Sequence, residues 1–207
     1  MPKVVPEYKD IAKKKIIDAA YSIFYKKGYH DSTMEDIAKE VGVSKASLYS
    51  YFKSKDEILQ TTSNQNLNES FNHIFEDGNS LESLEMLYNN MINFKGALHL
   101  NFEITALSSH NKSIRTINRN VYEKKMNILI KFVEKQQDSD NMRKDIDALT
   151  IAQLLTAVYS DIAMQLIIGI DITKVYEFWK NSISAITKKN DNDYDQQKTL
   201  NKYFAHY

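Results

Sequence analysis

The chain has 207 residues, 27 basic against 27 acidic side chains, and no cysteine. The absence of thiols rules out a disulfide framework and a thiolate metal site, and the length suits a small domain joined to a larger one. Both prolines lie within the first six residues and only five glycines occur, so nothing after Pro6 forces a helix to break. No segment shows the β-branched alternation of a strand, and an all-α chain is expected.

The opening MPKVVPEYKDIAKKK lacks the apolar run of a secretory signal. The longest apolar stretch, 148–170, contains Gln153, Asp161 and Gln165. An aspartate there would be costly in a bilayer, so a cytoplasmic protein with no membrane partner is expected. A net charge of zero argues at first sight against a nucleic-acid partner, but residues 1–60 carry 11 lysines against nine acids.

In chain order, residues 8–27 form a first helix with Ile16, Ile17, Ala20, Ile23 and Phe24 inward and Gly28 as its stop. Thr33 can cap a short helix over 34–41, whose Met34, Ile37, Ala38 and Val41 recur at helical spacing. Gly42 supplies the left-handed residue on leaving it. Ser44 caps a second short helix over 45–51, with Leu48 and Phe52 inward and Lys45, Ser47, Tyr49 and Ser50 on the neighbouring faces. Ser54 opens a long helix from 55 to about 75, with Asp56 and Glu57 in the turn where the helix dipole favours acids. Further helices are expected over 80–109, 112–136, 146–168 and 172–188, with a loop over 137–144 and a polar tail over 190–207. Gly96 weakens the middle of the fifth helix and allows a kink.

Two short helices joined by a tight glycine turn, the second polar and aromatic outside, form a helix-turn-helix that presents side chains to the DNA major groove. The stretch TMEDIAKEVGVSKASLYSYFKSKDE resembles the DNA-binding domain of the TetR family of transcriptional regulators, and IIDAAYSIFYKKGYHDST is similar to that family's first helix. The resemblance covers the first third of the chain. It rests on Phe24, Gly28, Tyr29, Thr33, Ile37, Ala38, Gly42, Val43, Ser44, Leu48, Tyr49, Phe52 and Lys55. Ala46 stands where the family often has glycine, and Ser50 where it often has histidine or a larger residue; both bear on base reading.

The resulting organisation is a helix-turn-helix domain over 8–54, with its motif at 33–52, then a larger helical effector-binding and dimerisation domain over 55–189. The candidate DNA contacts are Thr33, Ser44, Lys45, Ala46, Ser47, Tyr49, Ser50, Lys53 and Lys55. Lys45 can donate to guanine or phosphate, Ala46 and the Tyr49 ring can touch a thymine methyl, and the hydroxyls suit phosphate oxygens. The resemblance implies phosphate roles for Thr33, Tyr49 and Lys55. No arginine lies in residues 1–114, which weakens bidentate guanine reading and leans the operator toward A·T.

The resemblance also implies an effector pocket whose filling moves the reading heads apart. Its expected lining is Leu67, Phe71, Met91, Phe94, Leu98, Phe102, Ile117, Tyr159 and Ala163, with Glu103 or Asp161 as a polar handle that would favour a cationic or hydroxyl-bearing ligand. His99 with Glu103 is too sparse for a metal site, and no metal or cofactor is expected. Leu155, Tyr159, Ile162, Phe178 and Trp179 are expected at a four-helix homodimer interface. No nucleophile elbow, P-loop, dinucleotide fingerprint or HExxH pattern occurs, which disfavours an enzyme. The expected function is a ligand-responsive repressor binding a palindromic operator as a dimer. The rivals are a DNA-bound nucleoid or division factor without an effector, and a helical enzyme or carrier with a vestigial motif.

Overall fold

A computed structural model describes residues 6–67, Phe75, 80–93 and 95–187. Among the described residues the chain is helical: α1 Pro6–Lys27, α2 Met34–Val41, α3 Lys45–Tyr51, α4 Lys55–Asn66, α5 Ser80–Asn93, α6 Lys95–Leu107, α7 Lys112–Asp138, α8 Ala148–Ile167 and α9 Ile172–Ile186. The one strand-like feature described is an isolated antiparallel bridge between Met142 and Thr187. The expected fifth helix corresponds to α5 and α6, and α7 runs unbroken past Arg119. The expected polar tail lies outside the described residues.

Helix starts follow the capping chemistry of the sequence. Thr33 and Asp36 form a reciprocal capping box, with Asp36 N donating to Thr33 Oγ1 at 3.1 Å and Thr33 N donating to Asp36 Oδ2 at 2.9 Å. Lys27, then the Thr33 hydroxyl and amide, hold the Asp36 carboxyl down at about 2. Ser44, Ser54, Asn111, Asp147 and Asp171 cap α3, α4, α7, α8 and α9 in turn. Gly42, at φ 78, leaves α2 in the left-handed region and donates back to Ala38 and Lys39.

Two apolar cores result. The amino-terminal one gathers Ile16, Ala20, Phe24, Ile37, Leu48 and Phe52, but it does not close on itself. Ile58 and Leu59 of α4, Leu100 and Ile104 of α6, and Ile114 and Ile117 of α7 complete it. The helix-turn-helix is therefore seated on the helices that follow it. Ile117, expected in the effector pocket, is buried in this core and also borders a polar pocket of about 210 Å³ beside Gln60 and Asn64. The second core packs α5, α7, α8 and α9 around residues such as Leu129, Val133, Ile151, Ile162 and Val175.

By length and composition α8 could cross a membrane. Here it buries Ile151, Ala152, Leu155, Ile162 and Ala163 against its neighbours and turns Gln153 and Asp161 outward.

Candidate nucleic-acid interface

On α3, Leu48 is fully buried and Phe52 nearly so, which fixes the rotation of this seven-residue helix. Lys45, Ala46, Tyr49 and Ser50 are thereby left exposed, Ser47 half-buried, and Lys53 exposed just beyond the helix. Tyr49 keeps 45% of its surface in solvent, which leaves its ring edge and hydroxyl open to a partner. Lys45 Nζ lies 3.8 Å from Glu35, an exposed pair too weak to hold the ammonium away from a phosphate or base. Ser44 Oγ accepts from Ser47 N at 3.1 Å, and Ser50 Oγ donates to Ser47 O at 2.6 Å.

Two expected phosphate contacts are spent within the chain. Both the hydroxyl and the amide hydrogen of Thr33 go to Asp36, at 2.7 and 2.9 Å, so Thr33 is a cap rather than a free donor. Lys55 turns its ammonium inward. It donates to the carbonyls of Tyr29 at 2.6 Å, Ser32 at 2.7 Å and His30 at 3.1 Å, and lies 4.3 Å from the Tyr29 ring centroid. Burial pulls its pKa down, against the raising influence of Asp56 and Glu103. Lys55 therefore ties α4 to the α1–α2 turn. Lys55→Met is expected to cost about 2 kcal/mol of stability, the usual worth of charged hydrogen bonds. Its effect on the salt dependence of DNA binding should be slight; thermal melting and operator titration at two salt concentrations check this.

Glu103 of α6, expected in the effector pocket, reaches the same turn from the other side. Its carboxylate accepts from Tyr29 N at 2.8 Å and His30 N at 2.7 Å. Gly28 makes room for this: at φ +79, a Cβ there would meet Glu103 Oε2 at 3.0 Å. Asp56 accepts from the Tyr29 and Ser113 hydroxyls, joining α4, the turn and α7. Burial first, then Asp56, pushes the Tyr29 pKa up, so it remains a hydroxyl donor. The turn that enters the reading motif is thus clamped by two of the helices that follow it, α4 and α6, with Ser113 of α7 bracing Asp56. Arg115, exposed in the first turn of α7, donates to the carbonyls of Ser108 and Ser109 and closes the end of α6.

The carboxy-terminal core differs from expectation more widely. It holds a cavity of about 20 Å³ between α5, α7, α8 and α9, room for one water rather than for a ligand. Met91 and Tyr159 line it as expected. Leu98 and Ala163 are buried and Phe102 partly buried in the surrounding core, and Leu67 is buried at the end of α4. Phe71 and Phe94 lie outside the described residues. Asp161 is no handle: it is exposed and accepts from Gln165 Nε2.

Leu155, Ile162 and Trp179, expected at a dimer surface, also line this cavity and are at most 6% exposed within one protomer. Tyr159 is only half-buried, and of the five residues Phe178 alone faces outward, 36% exposed. The large apolar side chains that α8 exposes are Leu149, Leu154 and Met164, with Ile168 exposed just past its end.

A family model described as bacterial regulatory proteins, tetR family, matches residues 16–62. Residues 16–62 are thus similar to the amino-terminal domain of the TetR family. The chain is 34% identical over 82 residues to IcaR of Staphylococcus epidermidis, the HTH-type negative transcriptional regulator of the biofilm operon icaADBC. That match covers 40% of this chain and 44% of IcaR. It is 39% identical over 59 residues to the HTH-type transcriptional regulator YfiR of Bacillus subtilis, covering 28% of this chain and 29% of YfiR. The chain thus spans less than half the length of these relatives. Among solved structures, the transcriptional regulator FadR of Bacillus subtilis, in complex with stearoyl-CoA, superposes with a TM-score of 0.68 at 21% identity, covering 84% of this chain and 98% of that one. At that identity the likeness extends the TetR fold, not a ligand, to the rest of the chain.

Proposed function

We propose that this protein is a one-component transcriptional repressor, acting in the cytoplasm, that binds a palindromic operator as a homodimer and is released by a small, largely apolar effector. The carrying observation is the α3 face, where Lys45, Ala46, Tyr49 and Ser50 stand exposed on a helix whose rotation the buried Leu48 fixes. A helix so presented suits the major groove: Lys45 and Tyr49 reach base edges, Ser44 and Lys53 reach the flanking phosphates, and Ser47 and Ser50 fill between.

Palindromic half-sites lie about one turn of DNA apart, so two copies must be joined rigidly at their far ends. Leu154 and Met164 of α8, Ile168 at its C-terminal cap and Phe178 of α9 are the apolar surface suited to that joint. The effector is proposed to act through the Glu103 and Lys55 clamp, since any shift of α6 or α4 is carried to the turn they hold. A regulator of the same fold bound to stearoyl-CoA supports an apolar effector.

Operator binding tests this reading. With labelled DNA from upstream of the protein's own gene, Tyr49→Ala and Lys45→Ala should each weaken binding by about 1–3 kcal/mol without altering melting temperature. Unchanged affinity in both variants would rule out the docking. Occupancy of many scattered genomic sites with no effector response would favour a nucleoid or division factor instead.

A further inference from the structure

One face of α7 lines the small cavity of the carboxy-terminal core, and a different face borders, with α4, a crevice of about 210 Å³. The floor of the crevice is apolar: Ile117 is 6% exposed and Val121 half-buried. Around them stand four carboxamides, Gln60 and Asn64 from α4 and Asn120 and Asn127 from α7. The Glu123 carboxylate and the Lys124 ammonium complete the rim. Lys124 Nζ donates to Asn64 Oδ1 at 2.6 Å across the two helices, and Asn64 Nδ2 donates to Gln60 O at 2.9 Å. The side chains of Gln60, Asn120, Glu123 and Asn127 make no hydrogen bond or ion pair among the described residues.

Asparagine is among the poorer helix formers, because its side chain competes for nearby backbone groups. Asn120 and Asn127 nevertheless stand well inside α7, and neither offsets that cost with a bond to the rest of the fold. The chemistry of the rim selects an occupant. Each carboxamide both donates and accepts, as a hydroxyl does. Glu123 and Lys124 balance each other, so neither an anion nor a cation is favoured. No aromatic ring lines the crevice, which leaves a nucleobase without a stacking surface. A wholly apolar ligand would strip water from the amides and return no hydrogen bond. A saturated ring bearing hydroxyls meets both halves, with its C–H face on Ile117 and Val121 and its hydroxyls on the amides. The space is smaller than the roughly 300–1,000 Å³ of a pocket for drug-sized molecules, which limits the occupant to a single ring.

We propose that this crevice binds a neutral polyol of one ring, a monosaccharide or a cyclitol, with Gln60 of α4 and Asn120, Glu123 and Asn127 of α7 taking its hydroxyls. A ligand so held adds to the Lys124–Asn64 contact and fastens α4 to α7 in the position that seats Lys55 and Asp56 at the 28–32 turn. This consequence rests on the repressor reading above: the polyol opposes the releasing effector and tightens operator binding.

Ligand-observed saturation-transfer NMR on the full-length protein tests the site. D-glucose, D-galactose and myo-inositol are the neutral probes, glucosamine and glucose 6-phosphate the charged counterparts, and cyclohexanol the apolar one. At least one neutral polyol is expected to bind saturably with a Kd of about 1 mM or below, roughly tenfold tighter than any of the three counterparts. Which of them binds tells a pyranose from a cyclitol. Replacing both amides, Asn120→Ala with Asn127→Ala, should weaken that polyol by roughly tenfold or more. The melting temperature should hold or rise, because alanine is the better helix former. No saturable binding by any of the three polyols, tighter binding of a charged or apolar counterpart, or undiminished affinity in the double variant would each overturn the site. Operator titration of the wild type is scored separately, and severalfold tighter binding is expected once the polyol is bound. Unchanged or weakened operator binding in its presence keeps the site and overturns the fastening of α4. Absence of operator binding under any condition counts against the repressor and leaves the site standing.

Discussion

Glu103→Ala is expected to lower stability by about 3 kcal/mol, a fall on the order of 8 °C in melting temperature for a chain of this size. One carboxylate accepts two backbone amides, Tyr29 N at 2.8 Å and His30 N at 2.7 Å, and both bonds are charge-assisted. Tyr29 is only 4% exposed, so deleting the carboxylate strands a buried donor as well as removing a contact. The functional loss should exceed what stability alone explains. The turn at 28–32 would then be held by Lys55 and Asp56 of α4 alone, and the reading helix would lose its fixed angle to the rest of the protein. Operator affinity should drop by tenfold or more at temperatures where the variant is fully folded. On the proposed function, any effector should also act more weakly on DNA binding once this contact is gone. Glu103→Gln retains one acceptor and turns an amide hydrogen toward an N–H, so its loss should be intermediate. Unchanged operator binding in a folded Glu103→Ala protein would show that the clamp carries nothing to the reading head.

Much of this architecture could be read from the chain because its signals are local. Thr33 with Asp36, Gly42, Ser44 and Ser54 each fix a helix end through bonds spanning four residues or fewer, and α2, α3 and the start of α4 fall where those residues place them. The site could not be read so directly, because its partners are far apart in sequence. Glu103 stood out as a charge among apolar residues, but nothing local announces that it meets amides 73 and 74 residues earlier. Lys55 lies in a motif position that suggests phosphate, and only the fold brings three carbonyls to its ammonium. Leu155, Ile162 and Trp179, expected at a dimer surface, lie inside the protomer for a related reason. Ile146–Ile168 is apolar around most of its circumference, so composition cannot say which side the protomer itself covers.

That distinction sets the second large effect. Met164→Arg is expected to convert a dimer into folded monomers that no longer hold an operator, whereas Ile162→Arg is expected not to fold. Met164 is 48% exposed and Ile162 fully buried in the protomer, two residues apart on α8. An arginine at Met164 projects into solvent in the isolated protomer and should change its stability by no more than about 0.5 kcal/mol. Across a two-fold joint each substitution occurs twice and the two guanidinium groups approach each other, both partly desolvated. A penalty of about 3 kcal/mol or more would raise the dimer dissociation constant more than hundredfold. A joint of the obligate kind should bury upwards of ~2,000 Å², more than this apolar patch alone, so α8 and α9 must contribute most of their exposed faces. Operator affinity should fall with dimerisation, since a single head binds one half-site with only its own contacts. Sedimentation at micromolar concentration, with helical content followed by circular dichroism, separates the two variants. A wild type that sediments as a monomer, or a Met164→Arg protein that remains dimeric, would place the joint elsewhere.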